Sequence, residues 1–345
     1  MIKRVLAIET SCDDTSVAIV DHDGHVETLV SATRDLDHAP FGGIVPEIAS
    51  RNHSLYLLPL VEEALNKKNY SWSDIDGIAV TNRPGLMGAL IVGVITGKSL
   101  SQAYNLPFVG VNHLEGHLVA PLLKDETYTP PAEFAYPYLA LAISGGHTSL
   151  YLVEDFAEYK LLGSTKDDAA GEAFDKFAKM AGLGFPGGVR VDQLARSGNR
   201  TAFEFPRSMI HDPTFDMSFS GLKASAQRLL EAMTSQEIEK NLPDLCASYQ
   251  EAIVDVLIAK LDRAAKEFGL KRAILTGGVS ANSRLRERAD EWAQKRRITL
   301  ISPPLRYCTD NAAMIGYAGI LRLNRGEQSP LSLSPSPTPW ENDFK

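Results

Sequence analysis

Residues 7–19, AIETSCDDTSVAI, and residues 142–152, AISGGHTSLYL, share one pattern, in which two short apolar runs flank a polar tip of small residues. Apolar runs joined by such a tip predict β-hairpins. Two similar hairpins in one chain indicate an internal duplication, with each half of the chain starting on its own hairpin.

The segments that follow each hairpin alternate between strand and helix patterns. In the first half, the predicted segments are a strand at 26–32, a helix around 55–65, a strand at 75–80, a helix at 87–104 and a strand at 108–111. In the second half, they are a helical, irregular stretch at 169–233, a helix at 242–268, strands at 273–276 and 298–302, and helices from 282 and 309. This alternation predicts parallel strand pairing and an α/β fold.

A proline-rich stretch separates the two halves. Residues 127–137, TYTPPAEFAYP, hold three prolines, which interrupt both helix and strand patterns. The full length of 345 residues corresponds to about two domains of ~150 residues. We therefore predict an N-terminal lobe over residues 1–130, a C-terminal lobe with a helical insertion over 131–328, and a proline-rich tail over 329–345.

Composition excludes several classes of protein. A content of 44% hydrophobic and 23% charged residues is typical of a globular protein and excludes a disordered chain, a collagen or a coiled coil. The net charge of −8 argues against general electrostatic affinity for nucleic acid or acidic membranes, although a local basic face or a partner protein could still capture RNA. The apolar stretch at 85–97 is too short to span a membrane, and no signal-peptide pattern is visible. The three cysteines form no C-x-x-C pair, so we expect a cytoplasmic protein with no membrane partner.

Three polar loops, at residues 10–15, 144–148 and 276–282, directly follow apolar strand patterns. Glycines and hydroxyl side chains in such loops let backbone N–H groups approach a phosphate. None of the loops matches the P-loop or Rossmann fingerprints. Each loop alone would be read as a hairpin or cap turn, but together, at strand ends in a duplicated α/β chain, they predict nucleotide binding.

His113 and His117 are four residues apart, so on a helix they would share one face and could hold one metal ion. Glu115 stands one place too late to serve as the general base of an H-E-x-x-H metalloprotease. A third ligand would have to be an oxygen from elsewhere, and Asp310 is one candidate among many. Such a donor set suits iron or zinc. The alternative is a pair of surface or capping histidines.

Two charged clusters allow both a structural and a functional interpretation. The acidic cluster either favours the dipole at a helix N-terminus or forms a ligand-facing edge together with Asp192, and its members are Asp167, Asp168, Glu172 and Asp175. The basic cluster is most simply a solvated helix face, with a phosphate contact as the alternative, and its members are Arg284, Arg286, Arg288, Lys295, Arg296 and Arg297.

Taken together, nine motifs between residues 5 and 326 resemble those of the bacterial tRNA threonylcarbamoyladenosine transferases, the TsaD family, formerly named O-sialoglycoprotein endopeptidases. The motifs are IETSCDDT at 8–15, GGIVPEIASRNH at 42–53, NHLEGH at 112–117, SGGHT at 144–148, DDAAGEAFD at 167–175, PGG at 186–188, SFSGLK at 218–223, GGVSAN at 277–282 and YCTDNAAM at 307–314.

The resemblance implies an actin-like ATPase (ASKHA) fold, with two duplicated α/β lobes around a nucleotide-binding cleft. It also implies that one iron ion, with zinc as the alternative, is held by His113, His117 and Asp310. No further catalytic residue is assigned. The positions implied to bind the substrate are Ala142, Ile143, Ser144, Gly145, Gly146, Asp175, Gly188, Asp192 and Asn282.

The reaction implied by the resemblance is an acyl transfer to tRNA. The family moves threonylcarbamoyl from threonylcarbamoyl-adenylate to the exocyclic amine of the adenosine 3′ of the anticodon, in tRNAs that read codons beginning with adenine. An ATP- or AMP-type nucleotide would lie in the cleft. The implied partners are tRNA, a TsaB-like actin-fold paralogue and a TsaE-like ATPase.

Two features depart from the family pattern: Arg83 stands where the family usually has glycine, and the proline-rich tail lacks the usual ending. Three other functions are weighed against the transferase. A metalloprotease would need the glutamate that Glu115 does not supply. A non-catalytic scaffold subunit would be expected to lack the metal constellation. A small-molecule kinase on the same fold would use Asp13 or Asp14 to position Mg²⁺.

Overall fold

The computed structural model describes residues 1–33, 35–41, 43–184 and 186–338. Contacts divide the chain into two units. Unit 1 consists of Met1–Ala132 together with the C-terminal segment that begins at Pro303, and unit 2 is Glu133–Ser302. In the ranges described, none of the helices has the length and apolarity that a membrane crossing requires.

The strands of these ranges are β1 (Arg4–Glu9), β2 (Thr15–Asp21), β3 (Val26–Ala32), β4 (Gly77–Arg83), β5 (Phe108–Asn112), β6 (Tyr138–Ile143), β7 (Thr148–Asp155), β8 (Glu158–Ser164), β9 (Arg272–Thr276) and β10 (Thr299–Ile301). The α-helices are α1 (Asp35–His38), α2 (Pro46–Asn66), α3 (Met87–Tyr104), α4 (His113–Val119), α5 (Ala170–Met180), α6 (Gly187–Ala195), α7 (Ser220–Glu231), α8 (Ser235–Glu267), α9 (Ser283–Arg296), α10 (Leu305–Cys308) and α11 (Ala312–Asn324).

The two sheets have the same topology, which confirms the duplication. The first has the order β3-β2-β1-β4-β5 and the second, read from its far edge, β8-β7-β6-β9-β10. In each, the first three strands form an antiparallel meander, and the last two run parallel to the first strand. The sequence had not indicated β8, which completes the second meander.

Helices cover both faces of the sheet in unit 1, and this explains why its strands are apolar on both sides. Side chains of α2 and α3 pack on one face, around Leu6, Ile8 and Ile78. On the other face, Gly316 and Gly319 allow α11 to lie close to the sheet. A Cβ on Gly319 would stand 2.4 Å from Ala79 Cβ, so the close approach requires glycine at this position.

This packing corrects the predicted lobe boundaries at the C-terminal end. Residues 303–328 had been assigned to the second lobe with the rest of 131–328, but the chain from Pro303 onward belongs to unit 1. The physical reason is that α11 buries its apolar residues on β1, β2 and β4. The predicted boundary near residue 130 agrees with the division after Ala132.

In unit 2, helices α5 to α9 build one apolar core with the second sheet. Helix α8 begins at Ser235, earlier than the predicted residue 242, because Thr234 and Glu237 form a capping box. Pro243 lies inside this helix and does not end it. Helix α2 likewise begins at Pro46, where proline is favoured as a first helical residue.

Candidate functional site

The two predicted metal-binding histidines lie on α4, the helix that directly follows β5. The side chain of Asn112 accepts a hydrogen bond from Leu114 N at 2.9 Å and so starts the helix at the end of the strand. His113 is the first residue of α4 and His117 lies one turn later, and both are buried. The expected helical spacing is therefore present at the carboxyl end of a parallel strand, where ligands bind in open α/β sheets.

Asp310 meets both histidines. His113 Nε2 lies 3.3 Å and His117 Nε2 lies 3.1 Å from the same oxygen, Asp310 Oδ1. The three ligand atoms lie within 4.8 Å of one another. The two imidazole rings are nearly perpendicular, with centroids 4.6 Å apart. The structure thus brings together the three residues that the family resemblance implied.

A second layer of contacts orients His113. Its Nδ1 lies 3.0 Å from Glu9 Oε2 and 3.1 Å from Ser11 Oγ. Glu9 is fully buried at the end of β1 and also accepts hydrogen bonds from Thr81 Oγ1 and from the backbone N–H of Ser11. A carboxylate only accepts, so Nδ1 carries a proton, and Nε2, the nitrogen that faces Asp310, is the atom that could bind a metal ion.

The electrostatics of the cluster formed by His113, His117 and Asp310 favour a positive charge. Burial disfavours protonation of His113, but the Asp310 and Glu9 carboxylates outweigh it and raise the pKa of His113 well above its ordinary value. Burial would raise the pKa of Asp310, yet the two imidazoles hold it well below its usual range. The pKa of His117 is lowered, mainly by burial. The pocket therefore favours positive charge next to Asp310, which either a proton or a metal ion can supply.

The donor set fits a metal ion. Two imidazole nitrogens and one carboxylate oxygen converge from two segments of unit 1, and a carboxylate orients one of the histidines from behind, as is usual for histidine ligands. Such a set leaves coordination positions for a substrate and suits iron or zinc. The alternative interpretation, two unrelated surface histidines, does not fit two buried rings that share one carboxylate oxygen.

Glu115 points to a different partner. Although it lies between the two histidines in sequence, it is buried and forms two hydrogen bonds with the Arg322 guanidinium of α11, at 2.8 and 2.9 Å. This ion pair joins α4 to α11. The geometry supports the sequence argument against a metalloprotease, because the only glutamate in the histidine motif is engaged elsewhere.

A hydrogen-bonded cluster links the segment after α4 to helix α10. The sequence did not indicate this cluster. Asp125 Oδ2 accepts hydrogen bonds from Arg306 Nε at 2.8 Å and from the Tyr307 hydroxyl. Asp125 follows α4, whereas Arg306 and Tyr307 belong to α10, just before Asp310. No local pattern signals this pairing, since its members lie more than 180 residues apart.

In unit 2, two of the predicted glycine loops lie side by side. Gly277, which ends β9 with a φ of +84°, approaches Ile143 so closely that a Cβ would stand 2.5 Å from the Ile143 carbonyl oxygen. Gly171 at the start of α5 approaches the Ser144 carbonyl oxygen in the same way. Because β6 and β9 are parallel neighbours, both loops lie at the carboxyl end of the sheet.

Three glycines of these loops could each carry a Cβ without a clash inside the protein. At Gly145, Gly146 and Gly278, no described atom lies within 4 Å of the position that a Cβ would take, and none of the three has a left-handed φ. Neither packing nor backbone strain accounts for glycine there. Close approach of a ligand to the backbone would account for it.

The polar residues predicted to bind substrate have structural contacts of their own. Asp175 Oδ1 accepts from the N–H groups of Gly187 and Gly188 at 2.8 and 3.2 Å, at the start of α6. Burial is the main cause that raises the pKa of Asp175. Asp192 Oδ1 accepts from the Ser283 hydroxyl at 2.7 Å.

Asn282 precedes Ser283 in sequence, caps α9 through Leu285 N and donates to Gln250. The structure therefore gathers Asp175 with Gly188 and Asp192 with the first residues of α9. A binding role for these residues remains a prediction.

The two charged clusters are mainly structural. In the acidic cluster, Asp167 accepts four hydrogen bonds from residues 218–220, and Asp168 pairs with Lys176 and Lys223. In the basic cluster, Arg284, Arg288 and Arg296 pair with carboxylates of α8, namely Glu251, Asp255 and Asp262.

Comparison with known proteins identifies the family. A family model described as TsaD, tRNA N6-adenosine threonylcarbamoyltransferase, matches residues 27–317. The chain is 71% identical to the tRNA N6-adenosine threonylcarbamoyltransferase of Bdellovibrio bacteriovorus, with 100% of each chain covered. It is 49% identical to the protein of the same name from Anaeromyxobacter dehalogenans strain 2CP-C, with 97% of this chain and 98% of the relative covered. The chain belongs to the TsaD family.

Solved structures agree with the fold. HypF from T. kodakarensis superposes with a TM-score of 0.64 at 12% identity, over 94% of this chain and 48% of that chain. Component A of the Acidaminococcus fermentans (R)-2-hydroxyglutaryl-CoA dehydratase superposes with a TM-score of 0.53 at 13% identity, over 92% and 99%. The fold of this TsaD-family chain is accordingly the actin-like ATPase fold that the motifs implied, with two related α/β sheets.

Substitution of Glu9 tests how the side chains of the candidate metal site are oriented in this TsaD-family chain. In Glu9→Gln, the side-chain amide can present its N–H₂ to His113 Nδ1 and so favour the wrong tautomer. We expect the affinity for Zn²⁺ or Fe²⁺ to fall about 10- to 100-fold, as for other residues that orient metal ligands. Metal titration measures this. Glu27→Gln, which alters a glutamate paired with Arg4, is the control. Unchanged affinity in Glu9→Gln would contradict the assigned role.

Proposed function

We propose that this chain is a metal-dependent transferase that moves threonylcarbamoyl from its adenylate to N6 of the adenosine 3′ of the anticodon. The observation that supports metal dependence is the convergence of His113, His117 and Asp310 in a member of the TsaD family. We propose iron as the resident metal, with zinc as the alternative that the same donors would accept.

The chemistry is an acyl transfer with a good leaving group. The N6 amine attacks the carbamoyl carbon of the mixed anhydride, the bond from that carbon to the phosphate oxygen breaks, AMP departs with the electron pair, and the amine loses a proton. The protein therefore mainly has to align a weak nucleophile and stabilise the developing oxyanion. The bound metal would supply Lewis acidity or an anchor for the threonyl moiety.

The residues of unit 2 are proposed to hold the nucleotide part of the substrate. Backbone N–H groups at Gly145, Gly146 and Gly278 can approach a phosphate, because these glycines carry no side chains and a Cβ at each of them would meet open space. Ala142 and Ile143 are buried at the end of β6 and directly precede the loop that begins at residue 144. Asp175, Gly188, Asp192 and Asn282 would shape the adjoining surface through the contacts described above.

Substitution of a metal ligand tests the proposed reaction. We expect His113→Ala to abolish transfer of labelled threonylcarbamoyl to an unmodified tRNA and to lose the bound metal, because one of three ligands is removed. The assay is run with and without the proposed protein partners. His211→Ala, which changes an exposed histidine of unit 2, is the control. Full transfer by a metal-free His113→Ala protein would contradict the proposal.

Gly146 tests the nucleotide site separately. A larger side chain there would enter the space proposed for the ligand, while meeting no described protein atom near its Cβ. We expect Gly146→Ala and Gly146→Val to raise the KM for the adenylate progressively, with an unchanged melting temperature. Steady-state kinetics and thermal denaturation measure the two effects. A KM equal to that of the wild type in Gly146→Val would exclude this loop from the binding site.

A surface of unit 1 supports the proposed TsaB-like partner. Apolar side chains stand exposed on the outer sides of α2 and α3, two helices that pack together, and they are Leu55, Leu58, Met87, Ile91 and Ile95. Leu55 and Leu58, which lie in the helix predicted around residues 55–65, are both more than half exposed. Clustered exposed apolar residues typically mark a protein interface.

We expect Leu58→Glu to weaken binding of an actin-fold paralogue at least 10-fold, because a charge would be buried without a partner. Calorimetric titration of the paralogue measures this. Leu161→Glu introduces the same change at an exposed leucine of β8 in unit 2 and is the matched control. Equal affinity of both variants for the paralogue would argue that the partner binds elsewhere.

The remaining partners follow from the family resemblance. We propose tRNA as the acceptor and a TsaE-like ATPase as a further component, acting in the cytoplasm. With a net charge of −8, and with arginines of α9 paired to carboxylates of α8, a composite surface with a partner is the better candidate for tRNA binding.

A further inference from the structure

The C-terminal tail runs along the edge of the sheet in unit 1. Strand β5 is the outermost strand of its sheet. Ser329 N donates to the Phe108 carbonyl oxygen at 2.8 Å, and Gly110 N donates to Ser329 Oγ at 3.0 Å. Residues 329–338, which we call the strap, thus occupy backbone positions that an edge strand would otherwise expose.

Leu333 anchors the strap. Its side chain packs against the apolar core between the sheet and helices α2 and α3. The leucine fits because residue 110 is glycine, since a Cβ there would stand 2.5 Å from Leu333 Cδ2. The Lys98 ammonium also donates to the Leu333 carbonyl oxygen. Leu331, two residues earlier, is about half exposed.

Beyond this anchor, the strap contacts the loop at residues 82–86. Ser336 N donates to the Asn82 carbonyl oxygen at 2.9 Å, and Gly85 N donates to the Pro337 carbonyl oxygen. The Asn82 amide, oriented to satisfy both of its groups, donates to the Val111 carbonyl oxygen and accepts from the Arg83 guanidinium. The two features that depart from the family pattern, Arg83 and the tail, therefore meet at one place.

The two elements that the strap contacts, strand β5 and the 82–86 loop, are both connected to the proposed metal site. Strand β5 continues directly into α4 and its two histidines. The 82–86 loop holds Ser11, because Leu86 N donates to the Ser11 carbonyl oxygen at 2.8 Å and Gly85 lies against the Ser11 backbone. Ser11 Oγ in turn lies 3.1 Å from His113 Nδ1.

We propose that the strap is a positioning element of the metal site. By covering the edge of β5 and holding the 82–86 loop, it keeps His113 in the orientation that binds metal. This inference rests on the proposed function for the metal itself. It assigns the tail a role that a loose proline-rich end would not have.

The test compares two leucines of the same segment. In Leu333→Ala the anchor is lost, whereas Leu331→Ala removes an exposed side chain of equal size. We expect Leu333→Ala to weaken Co²⁺ binding about three- to tenfold, less than the loss of a residue that directly orients a ligand. Leu331→Ala should bind Co²⁺ as the wild type does, and Leu333→Met should restore most of the affinity. Co²⁺ titration, followed by absorption at a temperature well below unfolding, measures the dissociation constant.

A second readout does not depend on the metal. Hydrogen exchange at the Leu86 amide reports the contact with Ser11, and we expect it to accelerate in Leu333→Ala but not in Leu331→Ala. Ser336→Pro, which removes the N–H that the strap donates to Asn82 together with the Ser336 hydroxyl, should have the same effect in milder form, and Ser336→Ala, which removes the hydroxyl alone, is its control. The two Ser336 variants alter a surface segment, so the inference can still be tested with them if Leu333→Ala folds poorly.

The outcomes separate this inference from the proposed function. If Leu333→Ala shows wild-type affinity for Co²⁺ and wild-type exchange at the Leu86 amide, even with a lower melting temperature, the strap only covers the sheet edge. This outcome would overturn the inference and leave the proposed function unaffected. A wild-type chain that binds no Co²⁺ would overturn the metal site, and the strap's role with it. Weakened binding and faster exchange confined to Leu333→Ala and Ser336→Pro would support the inference.

Discussion

The buried carboxylate of Glu9 is the constraint on which the architecture of unit 1 depends. A carboxylate with no solvent exposure is strongly destabilising unless hydrogen bonds and a nearby cation compensate it. Thr81 from β4, His113 from α4 and the Ser11 backbone supply that compensation. The carboxyl ends of β1, β4 and β5 must therefore meet around one group, and the same requirement orients His113, the first of the proposed metal ligands.

Helix α11 closes the arrangement from the other face of the sheet. Its glycines allow backbone contact with the strands, and Arg322 forms the ion pair with Glu115 of α4. The histidine-bearing helix is thus held between the end of β5 and α11, while Asp310 arrives on the segment just before α11. Both histidines of this candidate metal site thus lie on a packed helix, whereas Asp310 lies on the short link between α10 and α11 and is held by its contacts with the two imidazoles.

Two of the alternative functions, the metalloprotease and the scaffold subunit, lose support for reasons that the contacts supply. A protease of the zincin type needs a glutamate near the metal, and Glu115 is committed to Arg322. A scaffold subunit would have no need for two buried histidines that converge on a carboxylate. Asp167 and Asp168 of the acidic cluster and Arg284, Arg288 and Arg296 of the basic cluster are engaged in hydrogen bonds and ion pairs, so these residues require no ligand to explain them.

The sequence by itself determined the local structure: the two hairpins, the alternation of strands and helices, and the spacing that places His113 and His117 on one helix face. These features follow from short-range backbone geometry and side-chain periodicity. Only the tertiary structure decided which distant segments meet. Asp310 reaches His117 across 193 residues, α11 joins unit 1 rather than the lobe before it, and the strap ends beside Asn82. No spacing along the chain encodes such pairings, because they depend on which apolar and charged surfaces become buried together.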